Sequence, residues 1–280
     1  MKKLQQSLSN ALVIFFFCLI SLESMAQETS RVFKFETGES YQTDILTNSR
    51  AIIQRGKQSM NVNTNSLVSK SYTSMLNNDQ GSSFTVKIKS LDAEIEAMGQ
   101  RLRYNSGTKI DTSSRILEAL DFMVNKPVDV SINKYGVIQN FTDYKAEMAT
   151  DTLVSFAGLQ PEAFEKGTML GILADFNYSD KTKKGFNWKD SVNIDGQKLI
   201  TDFWIEDISE KITILKFSSK ISTSLLNTNQ NGTYVIDNTT GIIQEKLLYS
   251  ISTGYQISAG GVIYAVSRST SVSEKTRKIN

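Results

Sequence analysis

The side chains that could do chemistry fall into four groups. The stretch "DFWIEDISE" gathers four carboxylates, Asp202, Glu206, Asp207 and Glu210. Paired carboxylates held at a fixed separation perform glycosidase-type acid–base work. On a strand and its turn, the same charges form a solvated face and guard a sheet edge. Asp237-Asn238-Thr239-Thr240-Gly241 and the Asp195-Gly196 turn resemble fragments of calcium loops. Calcium takes six to eight oxygens, about, from ligands at alternating positions. One carboxylate in each stretch describes an ordinary turn, so no metal is expected. Phe186, Trp188, Phe203 and Trp204 could line an apolar pocket. The run 143–176 carries a further apolar set, including Phe156, Phe164, Met169 and Leu173.

Missing residue types narrow the chemistry further. The chain has no histidine, and its one cysteine is Cys18. A Ser-His-Asp triad, a Cys-His pair and an ordinary zinc or haem site are therefore excluded. The usual general base near neutral pH is also missing. The reading is of a protein that is not an enzyme and carries no cofactor.

Where the chain goes is written at its start. Lys2 and Lys3 precede the apolar run Ala11–Leu22, and Ser24-Met25-Ala26 gives a small-x-small pattern before Gln27. This is the layout of a secretory signal peptide, 1–26. The run is shorter than the roughly 20 apolar residues that span a bilayer, so no transmembrane segment is expected after signal removal. Cys18 follows Phe17 inside the run and lacks the small residue that precedes a lipidated cysteine. Without 1–26 the chain has no cysteine, and export without disulfides means that a core must supply stability. Removing Lys2, Lys3 and Glu23 from 31 basic and 29 acidic residues leaves a net charge near +1. That balance, with no basic stripe, excludes an electrostatic nucleic-acid binder.

The elements that would position these groups are mostly strands. In "SFTVKIKSLDAEIEA", Phe84, Val86 and Ile88 share one parity and Leu91, Ala93 and Ile95 the other. A period of two marks a half-buried strand. The switch near Ser90 requires a bulge or a turn, because a one-residue slip reverses the faces. Phe203 and Trp204 are adjacent on a strand and must point to opposite faces. "DTSSRILEALDFMVNKP" predicts a short helix, capped by Ser113 or Ser114. Residues 58–78 read as an exposed strand, and the terminal "SEKTRKIN" as a frayed tail.

One phrase occurs twice. "VSINKYGVIQ" (130–139) and "YVIDNTTGIIQ" (234–244) each give an apolar-x-apolar strand, an Asn- or Asp-led turn, a glycine and a return strand. Residues 31–142 and 184–257 are read as two similar β units, joined by a helical insert at 143–176. The fold class is mainly β (α+β). One or more curved antiparallel sheets are expected, as a single β-rich domain over 27–280. The two units would run on into one sheet or pack face to face around one core.

The opening "GESYQTDI", "AEIEAMGQRLRYNSG", "VSINKYGVIQNF", "FNWKDSV" and "YVIDNTTGIIQEK" together resemble an uncharacterised family of exported Gram-negative envelope proteins, a domain of unknown function. The resemblance covers roughly 36–250 and implies a sheet-rich layout, similar to the curved half-open sheets of periplasmic lipoprotein carriers. It brings no catalytic residues. The expected function is that of a non-catalytic envelope protein, in the periplasm or associated with the outer membrane. It would bind a hydrophobic ligand, a lipid or acyl chain, on a concave sheet. Phe156, Phe164, Met169, Leu173 and Trp204 are the candidate ligand-binding residues. The alternative is a structural or interaction module whose partner is another envelope protein.

Overall fold

The computed structural model describes residues 31–109, 114–124, 126–142, 164–174, 176, 182–194, 197–257 and 261–280. The expected signal peptide, the central part of the insert (143–163) and Phe156 lie outside the described residues.

Twelve strands form one antiparallel sheet. The first unit contributes β1 (Ser40–Arg55), β2 (Gln58–Asn78), β3 (Gly81–Ala97), β4 (Gln100–Asn105), β5 (Pro127–Asn133) and β6 (Ile138–Phe141). The second contributes β7 (Asn187–Ile194), β8 (Gln197–Ile208), β9 (Ile212–Ser222), β10 (Leu226–Asp237) and β11 (Ile243–Ile257), followed by β12 (Ile263–Lys278). The order is β6-β5-β3-β2-β1-β12-β11-β10-β9-β8-β7, with β4 paired to β3. The two units thus run on into one sheet, because β1 pairs with β12 from Tyr41↔Lys278 to Gln54↔Ala265. The C-terminal residues are therefore part of a strand rather than a frayed tail. Arg277 pairs with Asp44 at 2.6 Å and Lys278 with Glu39 at 2.8 Å, which fixes them to β1. Likewise β2 is no exposed strand. It lies between β1 and β3, and alternate residues such as Val62, Thr64 and Ser66 are buried.

Local rules account for the strand boundaries. Met98 (φ 53°) and Gly99 (φ 74°) make the two-residue hairpin between β3 and β4, the left-handed pair that strand twist favours. The parity switch in β3 is a bulge. Ser69 pairs with Ser90 and Lys70 with Ile88, leaving Lys89 unmatched. The single described helix, α1 (Arg115–Met123), begins at Ser114, whose hydroxyl accepts from the Leu117 amide. It buries Leu117, Leu120 and Val124 in a cluster with Ala51, Ile53, Leu91 and Ile95.

The end of the insert differs from the helix that its apolar spacing predicts. Residues 164–174 form turns and isolated bridges. Met169, Leu170, Ile172, Leu173 and Ala174 are all buried. A surface helix buries one stripe, whereas this strap is covered on both sides. Spacing that mimics a helical face here reflects burial all round.

The strap explains the repeated phrase. At Asn133 the side chain accepts from the amides of Tyr135 and Val137, and at Asp237 from those of Thr239 and Thr240. Each turn closes on a left-handed glycine, Gly136 (φ 82°) or Gly241 (φ 77°). Six antiparallel steps separate β5 from β10, so they run in the same direction and both turns lie at one end of the sheet. The strap joins them. Val137 bridges Met169, and Ile242 bridges Leu173. Leu170 N–H donates to Gly136 O, and Ala174 N–H to Gly241 O. Phe33 lies against both glycines: a Cβ on Gly136 would fall 3.1 Å from its ring and one on Gly241 2.6 Å.

Candidate functional site

Strand pairing gives the sheet two chemically different faces. On the inner face, two neighbouring rows cross eight strands in register. The first starts at β7 with Trp188, Phe203 and Phe217, passes Gly232, and continues through Leu248 and Val272. It ends at Thr47 and Ser66. The second, two residues along each strand, starts with Asp190, Thr201, Ser219 and Gln230. It continues through Ser250, Thr270, Ser49 and Thr64. Every position in this second row is polar.

The first row begins as a packed aromatic ladder, which Tyr234 of β10 joins from beside it. Trp188 stacks on Phe203 with ring centroids 5.2 Å apart, and Phe217 on Tyr234 at 5.1 Å. Gly232 makes room, since a Cβ there would sit 2.7 Å from the Phe217 ring. Phe186 extends the ladder beyond β7, 5.7 Å from Trp188, and is 37% exposed.

The polar row is buried along most of its length. Ser49 and Thr270 share a hydrogen bond of 3.1 Å, and Thr201 and Ser219 one of 2.8 Å. Thr64 Oγ1 of this row, and Ser66 Oγ and Trp188 Nε1 of the first, are buried without a hydrogen-bond partner. Buried polar atoms of this kind are rare in native proteins and call for a water, an ion or a ligand group. Burial holds the Arg268 guanidinium, on the same face of β12, down to about 10.

Phe164, Met169 and Leu173 come together in one cluster at the strap end of the inner face. Leu173 is fully buried, and Phe164 packs at its margin, 6.2 Å from Phe141. Trp204 does not join them. Phe203 takes the inner face of β8, so Trp204 takes the outer one, where it hydrogen-bonds Glu206. By sequence, Phe186, Trp188, Phe203 and Trp204 group as pocket lining, with Trp204 alone a candidate ligand residue, and Asp190 and Phe217 stand outside the group. The local signal was the shared parity of Phe186, Trp188 and Asp190; the cross-strand register that completes the rows is not local.

The carboxylate cluster is arranged as ion pairs. Asp202 pairs with Lys189 at 3.0 Å, Glu206 with Lys216 at 3.1 Å and Asp207 with Lys184 at 3.6 Å. The hydrogen bond from Lys216 lowers the Glu206 pKa, opposite to the raised value that a general acid requires. Asp237 spends its carboxylate on the turn amides and on Gln244 Nε2. The Asp195 stretch lies outside the described residues. Among the described residues, no group of three or more carboxylates could hold a metal ion.

The outer face carries exposed Leu46, Leu67, Leu247 and Tyr249. Leu46, Leu247 and Tyr249 flank a shallow groove over Ser271 and Ser273 of β12. Among the described residues, no helix is long and apolar enough to cross a membrane.

No family model matches the sequence, and no curated protein matches it. Several solved structures align at low similarity. Lipovitellin, in a structure concerned with its lipid–protein interactions, is 10% identical over 88% of this chain and 26% of its own, with a TM-score of 0.49. The chain thus spans about a quarter of lipovitellin. OccK5 from Pseudomonas aeruginosa is 7% identical over 86% of this chain and 99% of its own, at 0.20. An outer membrane channel from Pseudomonas putida F1 is 5% identical over 90% and 100%, at 0.22. Values this low say nothing about function.

Proposed function

We propose that the protein is an exported, non-catalytic envelope protein whose curved sheet holds an amphipathic lipid on its inner face. The observation that carries this reading is the pair of in-register rows. The aromatic start of the first row, Trp188, Phe203 and Phe217, would line the hydrocarbon, and the wholly polar row beside it would supply hydrogen bonds to a headgroup. An ordinary core is mostly apolar; in this row Ser49–Thr270 and Thr201–Ser219 satisfy one another, and Thr64 is left without a partner at a cost. The unpartnered Thr64, Ser66 and Trp188 donors support a ligand with its own polar atoms. The signal-peptide pattern at 1–26 supports export, and the lack of histidine supports a binding rather than catalytic role.

Phe164, Met169 and Leu173 enter this reading as packing around the strap, at one end of the lipid surface. The test is quantitative lipid extraction from the protein purified from the envelope of a producing cell. A stoichiometric lipid is the expected result; protein free of lipid overturns the reading.

A second reading is favoured by one observation. Leu46, Leu67, Leu247 and Tyr249 are exposed on the outer face, and Leu46, Leu247 and Tyr249 flank a groove there, as a surface for another envelope protein would. Cross-linking in cells from Tyr249 distinguishes it: capture of one defined protein, with no lipid inside, supports an interaction module.

A further inference from the structure

Strands β11, β12 and β1 meet at the middle of the sheet, and their outer side chains form columns of different size. The β11 column is large: Leu247, Tyr249, Ile251 and Tyr255 are 42–56% exposed. The β12 column beside it is small. Ser273, Ser271, Ser269 and Ala265 stand opposite those four in register. Leu46 of β1 continues the first of these rows beyond Ser273, so the serines floor a groove between two apolar walls.

A ridge and a groove thus lie side by side, one strand spacing of about 4.8 Å apart. Consider a second copy turned over about a two-fold axis parallel to the strands, between β11 and β12. Its β12 lies over the first copy's β11, and its β11 over the first copy's β12. Each ridge then enters the other's groove, which is the self-complementarity that a two-fold dimer requires. Tyr249 meets Ser271 of the second copy, and Tyr255 meets Ala265.

Charge agrees with this packing. Glu245 of β11 and Lys275 of β12 share the row at one end, so the same axis sets each Glu245 over the other copy's Lys275. Between that row and Tyr255, the outer positions of β10, β11, β12, β1 and β2 carry a single charge, Arg50. Interface centres are depleted of charge in this way. Towards the margins charge returns, with the pairs Lys189–Asp202 and Lys216–Glu206 on one side and Arg103–Glu94 on the other. Five strands by ten residues measure about 24 Å by about 33 Å, about 800 Å² a side, the size of a standard specific interface.

We propose that the outer face seats a second copy of this chain, in a two-fold, face-to-face dimer that interlocks β11 of each copy with β12 of the other. The dimer uses none of the inner-face residues and stands apart from the lipid reading. It gives the outer face a definite occupant, in place of a different protein.

The test is sedimentation equilibrium of the purified protein, with circular dichroism to check each variant's fold. Wild type should be a dimer at micromolar concentration. Tyr249→Glu sets a charge at the centre of the interface and should raise the dimer Kd at least about thirtyfold, the loss at a hot-spot tyrosine. Ser271→Phe fills the groove instead and should do the same; it serves if Tyr249→Glu does not fold. Tyr135→Glu, at an exposed tyrosine of the Asn133 turn, should leave the dimer intact. Cysteines in a Cys18→Ser background fix the axis. A short bismaleimide should join Tyr255→Cys of one copy to Ala265→Cys of the other. It should not reach Ser273→Cys, eight residues or about 27 Å along β12. A wild-type monomer at every soluble concentration, a dimer indifferent to both Tyr249→Glu and Ser271→Phe, or cross-linking of Tyr255→Cys to Ser273→Cys overturns the proposal. A monomer that instead sediments with a different protein of the producing cell assigns the face to that protein and overturns the second copy.

Discussion

Replacing Gly136 by alanine tests whether the repeated turns are clamped against the strap. Two costs are expected. The first is conformational: at φ 82° an L-residue with a Cβ is disfavoured by about 1–2 kcal/mol. The second is steric. The new Cβ would lie 2.6 Å from Met169 Sδ, 2.9 Å from Leu173 Cδ1 and 3.1 Å from the Phe33 ring. These are side-chain ends, but all three residues are buried, so none can swing into solvent. Overpacking a filled core costs about 1–3 kcal/mol. The total is about 2–5 kcal/mol. Gly56 is the control. Its φ is 58° and nothing lies within 4 Å of its Cβ position, so Gly56→Ala should carry the conformational cost alone. Urea unfolding followed by circular dichroism gives both values. Phe33→Ala should open space at the shared contact and reduce the cost of Gly136→Ala. Because Gly241 presses on the same ring, Gly136→Ala and Gly241→Ala should combine non-additively. Equal costs for Gly136→Ala and Gly56→Ala would refute the clamp.

Three other perturbations follow from the same geometry. Thr64→Val replaces a buried hydroxyl that has no partner by a similar volume, so the lipid-free protein should become about 1 kcal/mol more stable in urea; a loss of that size would show that the hydroxyl is satisfied. Asp237→Ala removes the acceptor for two turn amides and should cost about 1–2 kcal/mol, with no calcium dependence in a thermal melt taken with and without chelator. Acid should loosen the β1–β12 seam. Burial pushes Glu39 and Asp44 up, yet hydrogen bonds outweigh it: Lys278 and Tyr41 act on Glu39, and Gln42, Ser69 and Arg277 on Asp44, so both pKa values are lowered. Carboxylates depressed in the folded state contribute stability above their unfolded pKa and lose it as pH falls through the folded value. Glu39→Gln should therefore flatten the acid limb of stability below about pH 4.5, and an unchanged limb would count against that pair.

Much of the fold was legible because its rules are local. Period-two parity located β3 and the bulge opposite Lys70, and it separated Phe203 from Trp204. Ser113 or Ser114 marked the helix start, and Ser114 is the cap. The strap failed locally because Met169, Leu170, Ile172 and Leu173 are buried from two sides, which erases the difference between a helix face and a plug. The C-terminal strand failed because its partner lies more than 200 residues away, at Asp44 and Glu39. The candidate site was the least legible part. Asp190 and Thr64 stand at opposite ends of one row, and only seven successive strand registers place them there. Choosing residues by apolar content favoured Trp204, on the outer face, over Trp188 on the inner one.

The central claim is that the inner face holds an amphipathic lipid, and native mass spectrometry tests it most directly. The protein purified from the envelope of a producing cell is ionised intact, and the same sample is extracted with organic solvent. The account predicts a protein mass carrying one phospholipid, released and identified in the extract. A bare protein mass with an empty extract would contradict it.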